Sequence, residues 1–142
     1  MNNDSWAIGD PTVPSACYFH IPLPEFFEAW YAYKDGNPDA NLVLENTSTD
    51  EYSGGPLPES DTHFFDVCKE YGSTKAICVA HDHINDSVIN YKGINLCFGV
   101  SSTDRIYYDE NKLGGQVMVI NKNDQSLSFE NIYHTYNEVE NK

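Results

Sequence analysis

Ala76-Ile77-Cys78-Val79-Ala80-His81-Asp82-His83-Ile84-Asn85-Asp86 is the stretch that decides the fold. Its first four residues are apolar, small or β-branched, and Gly72-Ser73-Thr74 precedes them. That pattern predicts a short buried strand. The strand opens into a loop bearing two imidazoles one residue apart. A rigid strand fixes the backbone there, and a loop frees ring nitrogens to converge on an ion. A second apolar run, Ala16-Cys17-Tyr18-Phe19, ends in His20. Two strands that both terminate in histidine predict one polar site at a shared edge of one sheet.

Around these runs the chain alternates between strand, helix and turn signals. Pro24 suits a first helical position, and Phe26, Phe27, Trp30 and Tyr33 give an apolar helical face that ends at Asp35-Gly36-Asn37-Pro38. Residues 35–60 are rich in Asn, Asp, Glu, Gly and Pro, broken only by Leu42-Val43-Leu44, and read as a long acidic loop. Asp61 is placed to cap a second helix whose stripe is Phe64, Phe65, Cys68 and Tyr71. After the histidine loop come four strand candidates: Ser87 to Tyr91, Ile94 to Phe98, Gln116 to Asn121 and Ser126 to Tyr136. Residues 100–113 read as a polar loop. The order strand, helix, helix, strand, then a run of strands is an α+β pattern. The expected organisation is a polar extension over 1–15, one domain over 16–136 and a tail over 137–142.

The chain has 142 residues, which suits one domain. Its formal charge is −14, from 22 acidic and 8 basic residues. Such a chain repels nucleic acid and anionic membranes, so neither is an expected partner. Solubility is the plain reading of the acidity. No apolar stretch is long enough to span a membrane, and Met1-Asn2-Asn3-Asp4 lacks the start of a signal peptide. Taken as it stands, the chain is expected in the cytoplasm; a missing N-terminal segment would allow a secreted or vacuolar location. Cys17, Cys78 and Cys97 fall in apolar strand-like runs and Cys68 on an amphipathic helix, with no Cys-x-x-Cys spacing. They read as buried free thiols.

The motifs resemble those of the calcineurin-like metallophosphoesterases, in the branch related to purple acid phosphatases. Phe19-His20-Ile21-Pro22-Leu23-Pro24-Glu25 matches one of that family's segments. Ala80-His81-Asp82-His83-Ile84-Asn85-Asp86 matches its Gly-His-Asp-His-x-Asn-Asp, with Ala80 in place of glycine. Gly93-Ile94-Asn95-Leu96-Cys97-Phe98-Gly99 looks like its Gly-Ile-x-Leu-Cys-Tyr-Gly strand. Gly114-Gly115-Gln116-Val117-Met118-Val119-Ile120 resembles a late strand in which arginine is usual at the position of Gln116. The resemblance runs from about Ala16 to about Ile120 and covers the C-terminal half of the family domain.

The resemblance implies half of a metallophosphoesterase β-sandwich with flanking helices. It implies phosphatase-type hydrolysis at a dinuclear centre of iron, zinc or manganese, with a phosphate ester as substrate. His20 and His81 would bind one metal and His83 the other, with Asn85 and Asp86 supporting the loop behind them. Asp82 would turn away and brace the turn. His63 and His134 have no motif around them and read as structural or solvated. Three histidines divided over two metals do not make a dinuclear site. The family's early Asp-x-His, Gly-Asp and Gly-Asn-His segments are not found before His20; Gly9-Asp10 matches only a dipeptide. At most weak mononuclear binding of a divalent ion is expected, with zinc favoured over magnesium.

Three readings follow. The chain is a metal-dependent phosphoesterase by descent, a non-catalytic remnant, or an interaction module that pairs with a separate N-terminal half. Half a sandwich would leave the inner face of its sheet uncovered, which predicts self-association. An alanine at position 80 would also strain the loop if the backbone there needed a positive φ.

Overall fold

The strand that opens the histidine motif is the centre of the molecule. A computed structural model describes residues 13–44 and 62–134. In it Thr74–Val79 forms β3, and Ala76 and Ile77 are completely buried. A continuous apolar run is what a strand covered on both faces requires. The other elements are β1 (Ser15–Tyr18), α1 (Pro24–Lys34), β2 (Ala40–Leu44), α2 (Phe64–Tyr71), β4 (Val88–Tyr91), β5 (Ile94–Phe98), β6 (Gly114–Ile120) and β7 (Leu127–Tyr133). The class is α+β.

Five strands form one mixed sheet in the order β1-β3-β5-β4-β2. β1, β3 and β5 run parallel, while β4 is antiparallel to β5 and β2 antiparallel to β4. The β4–β5 hairpin turns at Lys92 and Gly93, both with positive φ, the conformation a tight two-residue hairpin needs.

Strand alternation divides the core in two. Ile77, Val79, Leu96 and Phe98 face the helices and pack with Phe26, Ala29, Trp30, Phe65 and Cys68. Burying each of these large side chains contributes about 1.5–3 kcal/mol. Phe26 and Phe98 meet edge to face with centroids 5.1 Å apart. Ala76, Cys78, Val88 and Cys97 face the other way and pack against Met118, Leu127 and Phe129 of the β6–β7 hairpin. The molecule is therefore layered as helices, five-stranded sheet and two-stranded sheet.

Four expectations need correction. The inner face of the large sheet is not bare: the chain folds its own β6–β7 hairpin over it. Alternation accounts for this, because Leu127 and Phe129 point inward while Ser128 and Glu130 point outward. Leu42-Val43-Leu44 is not loop but part of β2, held by Leu42 and Leu44 opposite Ile89 and Val88. Phe27 does not join the inward face of α1; a 3.6-residue period places it on the shoulder, its ring tilted 49° against Tyr31 with centroids 4.5 Å apart. Ala80 has no positive φ; His81 adopts the left-handed conformation instead, with φ 72.

His63 also sits outside helical conformation. It is the N-cap of α2, left-handed with φ 56, exposed, and 3.6 Å from Asp66. Asp61, Gly9-Asp10, most of the acidic loop and the last strand residues at 135–136 lie outside the described residues.

Candidate functional site

β1 and β3 are adjacent and parallel, so their C-terminal ends leave the sheet side by side. The ladder continues past both strands. Phe19 N–H donates to Cys78 O at 3.1 Å, and Ala80 N–H donates to His20 O at 3.2 Å. Those bonds place His20 next to the start of the His-x-His loop. The two imidazoles meet edge to face with centroids 5.3 Å apart. His81 Nδ1 stands 3.4 Å from His20 Nε2.

That separation has a chemical meaning. Two imidazole nitrogens on one tetrahedral zinc, each about 2.0–2.1 Å from it, stand about 3.3–3.4 Å apart. The contact itself is a ring-to-ring hydrogen bond whose donor is set by the tautomer, and losing that proton would leave two nitrogens at the spacing of donors to one ion. His83 is held elsewhere: its ring stacks on Tyr107, centroids 4.9 Å apart and planes 26° from parallel. Its Nδ1 is buried and has no hydrogen-bond partner among the described residues. Among those residues no group of three or more His, Cys, Asp or Glu side chains converges as a metal site would. Among the described residues, two nitrogens at this spacing are what the site offers a metal ion.

The loop is braced from within. Asp82 is buried, and its Oδ1 accepts the Ile84 N–H at 3.3 Å, the turn-bracing bond expected of it. Asn85 Oδ1 accepts from Ser87 N at 3.2 Å and Ser87 Oγ at 2.9 Å. Asp86 is 1% exposed. Its carboxylate takes Lys112 Nζ at 3.2 Å and the Tyr133 hydroxyl, and its carbonyl takes Asn131 Nδ2 at 2.9 Å. Lys112 Nζ also reaches Ile84 O at 3.1 Å. Gln116 Nε2 bridges Phe98 O at 3.1 Å and Asn131 Oδ1 at 3.0 Å. A buried ion pair thus ties the end of the histidine loop to Lys112 just before β6, and Asn131 and Tyr133 tie it to β7.

Sequence reasoning missed Tyr107 and Lys112. Both lie in the stretch taken as a plain polar loop. The signal was the cluster Ile106-Tyr107-Tyr108 inside an otherwise polar run, which a solvated loop does not need.

No family model and no solved structure matches the chain. Three curated proteins of Arabidopsis thaliana do. "Probable inactive purple acid phosphatase 29" is 36% identical over 86 residues, 61% of this chain and 19% of that protein. "Probable inactive purple acid phosphatase 14" is 31% identical over 99 residues, 69% of this chain and 22% of that protein. "Probable inactive purple acid phosphatase 28" is 29% identical over 86 residues, 61% of this chain and 18% of that protein. The similarity supports a relation to the purple acid phosphatase group and reaches no finer. The chain spans about a fifth of the length of the curated relatives it matches.

Proposed function

We propose that this chain is a C-terminal portion of a metallophosphoesterase-type domain that keeps one histidine pair and has no phosphoesterase activity by itself. The observation that carries the reading is His20 facing His81 across 3.4 Å at the ends of two parallel strands. The names of the three relatives, each called inactive, support the inactive half of the reading.

A bound divalent ion would supply Lewis acidity and a more acidic water to a phosphate ester. Here His20 and His81 would hold that ion through Nε2 and Nδ1. Asp82 and Asn85 keep the loop in shape, and the buried Asp86–Lys112 pair anchors it. Two neutral imidazoles leave a divalent ion with its full charge, and no described carboxylate is aimed at the pair to bridge a second ion. Two ions about 3.5–4 Å apart need such a bridge.

The test is hydrolysis of an aryl phosphate with zinc, manganese or iron added. The expected rate equals that of the His81→Ala, His83→Ala double variant. A metal-dependent rate that this double variant abolishes would overturn the inactive reading.

A second reading has its own support. The outer face of β6–β7 exposes Val117, Val119 and Ile132, and the chain covers only about a fifth of its relatives. A module that pairs with an N-terminal half would use such a face. Co-expression with the N-terminal half of a relative, followed by size-exclusion chromatography, tests it: co-elution supports pairing, and separate peaks reject it.

A further inference from the structure

Tyr107 stands on the loop between β5 and β6, yet its contacts are with the histidine loop. Its hydroxyl lies 3.1 Å from His81 O, 3.3 Å from His83 N and 3.5 Å from Asp82 Oδ1. A phenol carries one O–H and can also accept. The O–H donates to His81 O, the nearest acceptor, and the oxygen accepts the His83 N–H. The ring meanwhile stacks on the His83 imidazole. The side chain is 53% exposed, so burial is not its main contribution.

The residue between these two contacts needs holding. His81 has φ 72, a region in which a non-glycine residue is strained. The turn is closed across His81 by Asp82 N–H to Ala80 O at 2.9 Å, and the carbonyls and amides around it are fixed by Ala80 N–H to His20 O and by Tyr107 to His81 O. The loop bearing Tyr107 is itself secured. Gly114 N–H donates to Ser101 O at 2.8 Å across its base, and Lys112 Nζ bonds Ile84 O and Asp86.

We propose that Tyr107 is the positioning residue of the histidine loop, holding His81 in its left-handed turn so that Nδ1 faces His20, and setting the plane of the His83 ring. The 99–113 segment is then part of the site. The proposal concerns residues the metal reading already uses, and only its affinity readout rests on that reading.

The experiment uses the full chain labelled with 15N-histidine. Long-range 15N–1H spectra report each imidazole in metal-free protein, and calorimetry with zinc alone follows on the same samples. Tyr107→Phe keeps the ring and removes the hydroxyl; Tyr107→Ala removes both; Tyr108→Phe is the neighbouring control. The expected result is a shift of the His81 and His83 rings in Tyr107→Phe, larger in Tyr107→Ala and absent in Tyr108→Phe. Backbone amides of β3, β5 and the hairpin should stay in place, and zinc affinity should fall about tenfold or more in Tyr107→Phe. Wild-type ring signals in both Tyr107 variants would overturn the proposal. So would shifts spread evenly through the sheet, which would make Tyr107 a support of the fold. Local ring shifts in the Tyr107 variants, together with a wild type that takes no zinc, would sustain the positioning role and sink the metal reading.

Discussion

His81 Nδ1 stands 3.4 Å from His20 Nε2, although the two residues are 61 positions apart. The cause is topological. A parallel pair of strands delivers its two C-terminal ends to one edge, and the ladder bond from Ala80 N–H to His20 O carries the register one residue further. The same arrangement in an antiparallel pair would have put the two histidines at opposite ends of the sheet.

The first prediction concerns that pair. Zinc or cobalt(II) should bind with one ion per chain, and His20→Ala or His81→Ala should each abolish binding in calorimetry. His83→Ala should weaken it less, since the His83 ring is stacked on Tyr107. Loss of binding in His83→Ala with retention in His20→Ala would reverse the assignment.

The strands around the site were legible because burial on both faces leaves a continuous apolar run, as in Ala76 to Val79. Periodicity likewise fixed α1, whose predicted start at Pro24 is its observed start. β2 was harder to see: an edge strand held by one neighbour needs few apolar residues, and its bulge between Leu42 and Leu44 breaks strict alternation. The histidine pair was legible as two strand ends. Its supports were not. Tyr107 and Lys112 act through contacts reaching 24 to 28 positions back along the chain, and such contacts leave no local pattern. The coverage of the inner sheet face depended on a hairpin folding back, which alternation permits but does not direct.

A second prediction concerns the buried pair that ties the histidine loop to the chain just before β6. Asp86 and Lys112 have side chains 1% and 6% exposed. Removing one partner leaves a buried charge alone, so Asp86→Ala and Lys112→Ala should each cost about 3–5 kcal/mol in urea unfolding. The double variant should cost clearly less than the sum, because no orphan charge remains. Strict additivity would show that the two charges do not act on each other.

The third prediction separates two adjacent glycines of β6. A Cβ on Gly114 would lie 1.9 Å from Ile132 O, whereas one on Gly115 would meet nothing within 4 Å. Gly114 is paired with Tyr133, so relief would require the two hairpin strands to move apart. Gly114→Ala should destabilise by about 1–3 kcal/mol, and Gly115→Ala should stay within about 0.5 kcal/mol of wild type. Equal effects would mean that the hairpin adjusts freely, and then it could not be a fixed cover for the inner face of the sheet.

The last prediction is a pH dependence. Cys97 is fully buried opposite Cys78 on the neighbouring strand. Hydrogen bonding to Cys78 and burial push its thiol far above the ordinary value of 9.0. The same contact lowers the Cys78 thiol, so of the two it is Cys97 whose proton the fold holds more tightly than the unfolded chain does, and the limb described next is that of Cys97 alone. Its contribution is fully present below about pH 9 and is lost as pH rises from there toward the folded value. Stability measured by urea midpoint should fall along an alkaline limb beginning near that pH. A serine at the same position keeps a donor for Asn95 O, which the Cys97 thiol reaches at 3.6 Å, but does not titrate in this range. Cys97→Ser should lower stability at neutral pH, through burial of a more polar group, and make the alkaline limb shallower. The slope is the informative quantity, since the polarity cost is the same at every pH. An unchanged slope would show that Cys97 does not govern the limb, and that the loss of stability at high pH comes from groups elsewhere in the fold.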